Sequence, residues 1–358
     1  MKAIVKFDYG KDGVGLRDVP EPVPKEGELK VKVLAAGICG SDIYALLDER
    51  KTAMPVILGH EYVGQVTEIC GDAGGFNTGD YVVTLPACYS CGECGFCKAG
   101  MVTLCPRRKS IGTHVDGAMA EYVVVPAKYS FKVPDDSDNK LMYVLSEPFT
   151  CSVRGVYERI DVAPGDVAVV SGPGTIGLTA MAALKTRGAY VIMHGLPKDS
   201  ERLELALRMG ADAATHSYDE LESACRSAAD RAGSCAGDHV GDHAADRAGP
   251  RIVVEAAGHP SSLDICLRIA AVKSKLLQMG YYGGRDIQCR IDYAFDKELD
   301  IFYSNSTAMS SWDIGLRLIN EKKVDLSPLL SLKLPLSEWR RGFEAVISKE
   351  AMKVVFCP

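Results

Sequence analysis

No run of apolar residues in this chain approaches the length that spans a bilayer, and its first residues, MKAIVKFDYGKDGVGL, contain neither an apolar signal core nor a small-residue cleavage site. The expectation is a cytoplasmic protein with no membrane partner. A basic stripe is missing too: the net charge is −6, with Lys, Arg, Asp and Glu mixed along the sequence, so nothing is laid out to neutralise a row of phosphates. Nucleic acid is therefore not an expected partner.

Apolar residues and cysteines, by contrast, are plentiful. A hydrophobic fraction of 47% over 358 residues suffices for two domains of ordinary size, each with a core. The 13 cysteines, in a reducing compartment, read as thiols, buried hydrophobes or metal thiolates rather than disulfides.

Up to about Thr150 the chain is written in short β-rich runs such as LKVKVLAAGIC, YVGQVTEIC, DYVVTLP and AEYVVVP, separated by Gly, Pro and Asp. After Cys151 the style changes. DVAVVSG is a short apolar strand, IGLTAMAALKTRG has helical periodicity, YVIMHG is a second strand and DSERLELALRMGA a second helix. Such alternation predicts a parallel sheet with helices on both faces. The tail holds two amphipathic helices, WDIGLRLINEKKV and LSEWRRGFEAVISK, and ends in the strand-like AMKVVFCP. The fold class is thus α/β: a β-rich domain of residues 1–150 and 303–358, and a doubly wound domain of residues 151–302. A flexible insertion is expected near residues 226–250, where AADRAG occurs twice and little but Ala, Gly, Asp, His and Arg lies between. Cys235, His239 and His243 fall in that stretch, which lacks the apolar support that holds metal ligands in place.

Five cysteines crowd into CYSCGECGFCKAGMVTLC, Cys88 to Cys105. Two registers offer four ligands: Cys88, Cys91, Cys94 and Cys97, or Cys91, Cys94, Cys97 and Cys105. Zinc wants tetrahedral thiolates, and the second register leaves the chain more room to wrap all four corners. Gly92 and Gly95 suit the tight turns between ligands. A merely buried or disulfide-linked cluster and an iron–sulfur centre are the other readings. A closed four-thiolate site has no place for substrate, so any zinc here is structural.

Upstream, GICGSD supplies Cys39, Ser41 and Asp42, and LGHEY supplies His60 and Glu61. A lone Cys and a lone His are more often packing residues than ligands. LSEPFTCSVRG then brings Glu147 to the expected junction of the two domains, where a cleft belongs. A Cys, a His and a Glu make a mixed soft and hard shell that suits zinc with one position left over.

The third motif is VAVVSGPGTIGLTAMAALKTRGAYVIMHG, with Gly172, Gly174 and Gly177 between a strand and a helix and Pro173 and Ile176 as loop positions. A tight turn, close approach to a pyrophosphate and a helix amino terminus facing its charge are what dinucleotide binding requires. At the end of the next strand an acid would bind the adenosine ribose and repel a 2′-phosphate. Gly195 stands there instead, with Lys198 and Arg202 just beyond, so the cofactor expected is NAD(P), leaning to NADP. Ordinary solvated helix charges are the plainer reading of both cations.

GICGSD, GHEYVG, CGECGFCKAGMVTLC, SEPF and SGPGTIGL, in this order, resemble the zinc-dependent medium-chain dehydrogenase/reductase family. The Glu of SEP resembles its polyol (sorbitol, iditol) dehydrogenase branch, where glutamate replaces the second catalytic cysteine of alcohol dehydrogenases. The likeness spans nearly the whole chain apart from the Ala/Gly/Asp insertion. It implies a GroES-like catalytic domain and a Rossmann nucleotide-binding domain, one catalytic and one structural zinc per chain, and a homodimer or homotetramer. It also implies that Cys39, His60 and Glu147 hold the catalytic zinc, with Glu61 close behind them or exchanging as a fourth ligand. Asp42 would orient His60 through a hydrogen bond, and Ser41 would begin the proton relay. Two positions depart from the family pattern: Tyr44 stands where many relatives carry a relay histidine, and Cys70 precedes Gly71 where a small residue is usual.

The activity expected is hydride transfer between a secondary alcohol (a polyol, sugar or cyclitol) and NAD(P) at a zinc centre. An amino-alcohol or aminocyclitol dehydrogenase of the threonine dehydrogenase type is the alternative. A non-catalytic nucleotide-binding or zinc-sensing protein is the alternative of another class.

Overall fold

The computed structural model describes residues 1–87, 89–135, 139–231 and 249–358. They form two compact units: Met1–Thr150 with Thr307–Asn320 and Leu326–Pro358, and Cys151–Ser306 with Glu321–Asp325. The return to the first unit falls at Thr307 rather than at residue 303, because the strand Asp300–Tyr303 pairs in parallel with Lys275–Gln278 and completes the second unit's sheet.

The first unit is built on a seven-stranded sheet. Its strands follow the order Leu330–Leu334, Lys353–Phe356, Glu28–Gly37, Glu61–Cys70, Tyr81–Thr84, Ser130–Val133, and Tyr122–Pro126 pairs with Glu28–Gly37 off that path. Alternation explains the long central strand: Leu29, Val31 and Val33 are buried between the more exposed Lys30 and Lys32. A separate sheet of three strands joins Val14–Asp18, Lys2–Lys6 and Val56–Ile57. Phe131 and Trp312 stack with centroids 5.1 Å apart, fixing the helix Met309–Asn320 within this unit.

The second unit is a six-stranded parallel sheet in the order Ala213–Thr215, Tyr190–His194, Val167–Ser171, Ile252–Glu255, Lys275–Gln278, Asp300–Tyr303. All five residues of Val167–Ser171 are buried, as expected of a central strand covered on both faces. Chain order reverses between Val167–Ser171 and Ile252–Glu255. That reversal is a topological switch point, and ligands of such sheets bind beyond the carboxyl ends of the strands beside it.

The helix Tyr218–Arg231 runs further than the sequence suggested, into the first AADRAG repeat. Leu221, Cys225 and Ala228 lie on one buried stripe at helical spacing, which supplies the apolar anchorage that composition alone seemed to deny. Cys235, His239 and His243 lie outside the described residues. Among the described residues, no helix is long and apolar enough to cross a membrane.

Candidate metal centre and nucleotide loop

Cys39 stands at the amino end of the short helix Gly40–Leu46, where its backbone N–H donates to Asp42 Oδ2 at 2.9 Å. His60 and Glu61 begin the strand Glu61–Cys70, whose register sets Glu61 opposite Gly37. The side-chain donor atoms of Cys39, His60 and Glu61 all lie within 4.8 Å of one another. A Cβ on Gly37 would sit 2.5 Å from Glu61 Oε2, so the missing side chain is what admits the carboxylate.

A residue the sequence reading overlooked completes this group. Lys353, buried on the last strand, donates from Nζ to Glu61 Oε2 at 2.6 Å and to the Ile38 carbonyl at 3.0 Å. Its one signal was a lysine inside an otherwise apolar strand, AMKVVF. Burial works against its charge, and Glu61 and Cys39 outweigh that to hold its proton more tightly than usual. His60 shows the same balance. Burial alone would lower its pKa, but the Cys39 sulfur, by charge and by hydrogen bond, together with Asp42 and Glu147, lifts it to about 10.

Asp42 does not meet His60 through the hydrogen bond the resemblance implied. Its Oδ1 is 4.0 Å from His60 Nδ1, a charge contact, because its other oxygen is committed to the Cys39 backbone. Burial raises the Asp42 pKa, against the lowering pull of His60. Glu147 lies on the helix Ser146–Val153 and is buried. It falls outside the 4.8 Å group, yet close enough for its charge to act on both His60 and Lys353. Ser41 and Tyr44 are half-buried on the helix that follows Cys39. Cys70, half-buried, ends its strand, and Gly71 turns the chain at φ 72°.

The four sulfurs of Cys91, Cys94, Cys97 and Cys105 also lie within 4.8 Å of one another; Cys88 is outside the described residues. Backbone N–H groups aim at them: Cys91 N at Cys105 Sγ, Cys94 N at Cys91 Sγ and Cys97 N at Cys94 Sγ, at 3.4–3.5 Å. The Cys94 N–H is the largest influence on Cys91 and helps bring it down to about 6, readying a thiolate. Four thiols so arranged fit a closed tetrahedral zinc site.

In the second unit, Gly172 ends the central strand at φ 107° and donates to the His194 carbonyl at 2.9 Å. A Cβ there would lie 2.7 Å from the Ala257 nitrogen, so the loops after Val167–Ser171 and Ile252–Glu255 touch at the switch point. Gly174 then caps the helix Thr175–Thr186. A second residue missed by sequence reasoning braces these loops. Glu255 is fully buried and accepts from Ala257 N at 2.9 Å, Gly258 N at 3.0 Å and Gln278 Nε2 at 2.6 Å. Beyond the next strand Gly195 is buried, Lys198 is exposed and Arg202 is half-buried. Asp199 lies between the two cations, accepting from Leu196 N at 3.0 Å, and its charge also reaches Arg202.

Fold and site together define a two-part oxidoreductase with a metal-ligand group in one unit and a dinucleotide loop in the other. Residues 25–135 match the model of the alcohol dehydrogenase GroES-like domain, and residues 175–321 that of the zinc-binding dehydrogenase domain. A sorbitol dehydrogenase of Halalkalibacterium halodurans is 31% identical, the match covering 100% of this chain and 99% of the relative. A D-arabitol-phosphate dehydrogenase of Enterococcus avium is 31% identical over 99% of this chain and 97% of its own length. Among solved structures, a zinc-binding dehydrogenase from Sinorhizobium meliloti bound to NADP superposes with a TM-score of 0.84 at 28% identity, covering 100% of this chain and 99% of that one. The chain belongs to the zinc-dependent medium-chain dehydrogenase/reductase family and is a polyol dehydrogenase-like, NAD(P)-dependent zinc enzyme.

Proposed function

We propose that this enzyme interconverts a secondary alcohol and its ketone, the alcohol being a polyol, sugar or cyclitol, with NADP preferred over NAD. The observation that carries the reading is the donor group of half-buried Cys39 with His60 and Glu61, and Glu147 close by. A thiol sulfur, an imidazole nitrogen and carboxylate oxygens fit zinc, and a set of three protein ligands is what a catalytic rather than a structural zinc uses. Cys39 and His60 are two of those ligands in this reading and Glu147 the third; Glu61, bonded to Lys353, lies behind them. When bound, zinc supplies Lewis acidity toward a substrate hydroxyl, and the dinucleotide supplies the hydride acceptor.

This chain's own groups do the rest. Ser41, on the helix that follows Cys39, takes the proton leaving the substrate hydroxyl in this reading. Gly172, Pro173, Gly174, Ile176 and Gly177 present backbone to a pyrophosphate at the amino end of Thr175–Thr186. The preference for NADP rests on Gly195, Lys198 and Arg202, a strand end with no carboxylate at the ribose position and two cations nearby. Nicotinamide absorbance, followed with the zinc-loaded enzyme on a panel of polyols, sugars, cyclitols and amino alcohols with each cofactor, tests the reading. Turnover confined to amino alcohols would overturn the substrate class, and a strong preference for NAD would overturn the cofactor assignment.

A further inference from the structure

Two loops of the second unit close on one buried carboxylate. The switch point divides the sheet into Ala213–Thr215, Tyr190–His194 and Val167–Ser171 on one side and Ile252–Glu255, Lys275–Gln278 and Asp300–Tyr303 on the other. Sheets of this kind take one mononucleotide on each half. The glycine loop and Gly195 belong to the first half, where pyrophosphate and adenosine ribose are read, so the nicotinamide mononucleotide falls to the second.

Glu255 ends the first strand of that second half and is fully buried. Its Oε1 accepts from Ala257 N at 2.9 Å and Gly258 N at 3.0 Å, in the loop after its own strand. Its Oε2 accepts from Gln278 Nε2 at 2.6 Å, and the same amide donates to Gly280 O at 2.8 Å, in the loop after the next strand. The Tyr282 hydroxyl approaches Glu255 Oε2 at 3.4 Å and Gln278 Oε1 at 3.3 Å. Burial, then the Glu255 charge, hold the Tyr282 proton more tightly than usual, which keeps it a donor. The Glu255 carbonyl also takes Met279 N at 2.8 Å and Gly280 N at 2.9 Å. Glycines let the two loops approach: a Cβ on Gly280 would collide with Glu255 Oε2, and one on Gly258, at φ 62°, would lie 2.5 Å from the Tyr281 carbonyl oxygen.

A carboxylate withdrawn from water is costly unless other groups replace its hydration. Among the described residues Glu255 forms no ion pair, and amide and hydroxyl donors hold it. A neutral side chain could fill this place at less cost; the carboxylate adds two acceptor oxygens that fix donors of both loops at once. We propose that Glu255 is a positioning residue for the nicotinamide half of the dinucleotide, locking loops 256–259 and 279–284 together so that the backbone receiving that half is set before the cofactor arrives. The proposal rests on the reading of the glycine loop as the dinucleotide site, and it holds whichever of NAD and NADP is preferred.

The test measures dissociation constants of NADPH and of 2′-phospho-ADP-ribose, which lacks only the nicotinamide, on the zinc-loaded enzyme without alcohol; NADH and ADP-ribose serve if NAD is preferred. Glu255→Gln keeps the size and places a donor amide where acceptors are needed. It is expected to weaken NADPH about tenfold or more, as loss of a hydrogen bond to a charged group would, and the fragment by no more than about twofold. Gln278→Met leaves the carboxylate and cuts its side-chain link to the second loop, so it should shift the same ratio by a smaller factor; it decides the matter if Glu255→Gln does not fold. Gly174→Asp, where a Cβ meets nothing within 4 Å, should weaken both ligands by setting a charge at the pyrophosphate end. Equal losses for NADPH and the fragment in Glu255→Gln, or no loss for either, would overturn the positioning role while Gly174→Asp still upheld the loop reading. No loss in Gly174→Asp would instead remove the loop reading, and the proposal with it.

Discussion

Lys353 Nζ and Glu61 Oε2 meet at 2.6 Å, with 3% and 1% of the two residues exposed, so an ammonium from the last strand neutralises a carboxylate of the metal-ligand group. Removing one partner of a buried pair leaves the other charge uncompensated, which typically costs about 3 kcal/mol or more. Lys353→Met should therefore lower the metal-free protein's stability by about that amount in denaturant unfolding. The loss should be smaller in the zinc-loaded protein, where a cation stands near the abandoned carboxylate. An unchanged unfolding midpoint in the metal-free variant would show that Glu61 does not depend on Lys353.

Cys94→Ser tests the closed cluster. Cys94 is both a candidate ligand and the acceptor for Cys97 N at 3.5 Å, so its loss removes a corner and loosens the turn. The expected outcome is one zinc fewer per chain and a lower unfolding temperature, with measurable turnover in the folded remainder. Full zinc stoichiometry with an unshifted transition would contradict a structural role.

Much of this was legible in the sequence, for identifiable reasons. Period-two alternation in LKVKVLAAG and the unbroken apolar VAVVS announce one half-covered strand and one fully buried strand, and short-range spacing announces the four-cysteine cluster. Lys353 and Glu255 were not legible, because their partners lie far along the chain: Lys353 meets Glu61 292 residues away, and Glu255 meets Gln278 across adjacent parallel strands. The end of the helix Tyr218–Arg231 was missed because alanine-rich composition hid a buried stripe.

Gly195→Asp probes cofactor choice. A Cβ at Gly195 would lie 3.0 Å from Pro173 Cγ and 3.3 Å from Asp199 Cβ, so the new side chain presses on the glycine loop and sets its carboxylate near a second acid. Binding of both cofactors should weaken modestly from this crowding. NADP should suffer more, because the new charge repels a 2′-phosphate while offering the ribose hydroxyls an acceptor. Dissociation constants for both dinucleotides in the wild type and the variant decide it. A wild type that already binds NAD far more tightly would remove the premise.

Glu147 carries the sharpest prediction, because the donor atoms gathered most closely are those of Cys39, His60 and Glu61, and one Glu61 oxygen is held by Lys353. If Glu147 is the third ligand, Glu147→Gln keeps its size and burial and removes an anionic donor, which weakens zinc and changes the charge that governs the alcohol's pKa. The variant should retain one zinc of two per chain, retain nucleotide binding, and lose turnover by at least roughly a hundredfold, the upper range for changes in outer-shell partners. Metal content by mass spectrometry, with cofactor binding as the control for folding, reads the outcome. Two zincs and near-normal turnover in Glu147→Gln would take Glu147 out of the ligand set and assign the third position to Glu61, and Lys353→Met should then shift zinc affinity while Glu147→Gln does not.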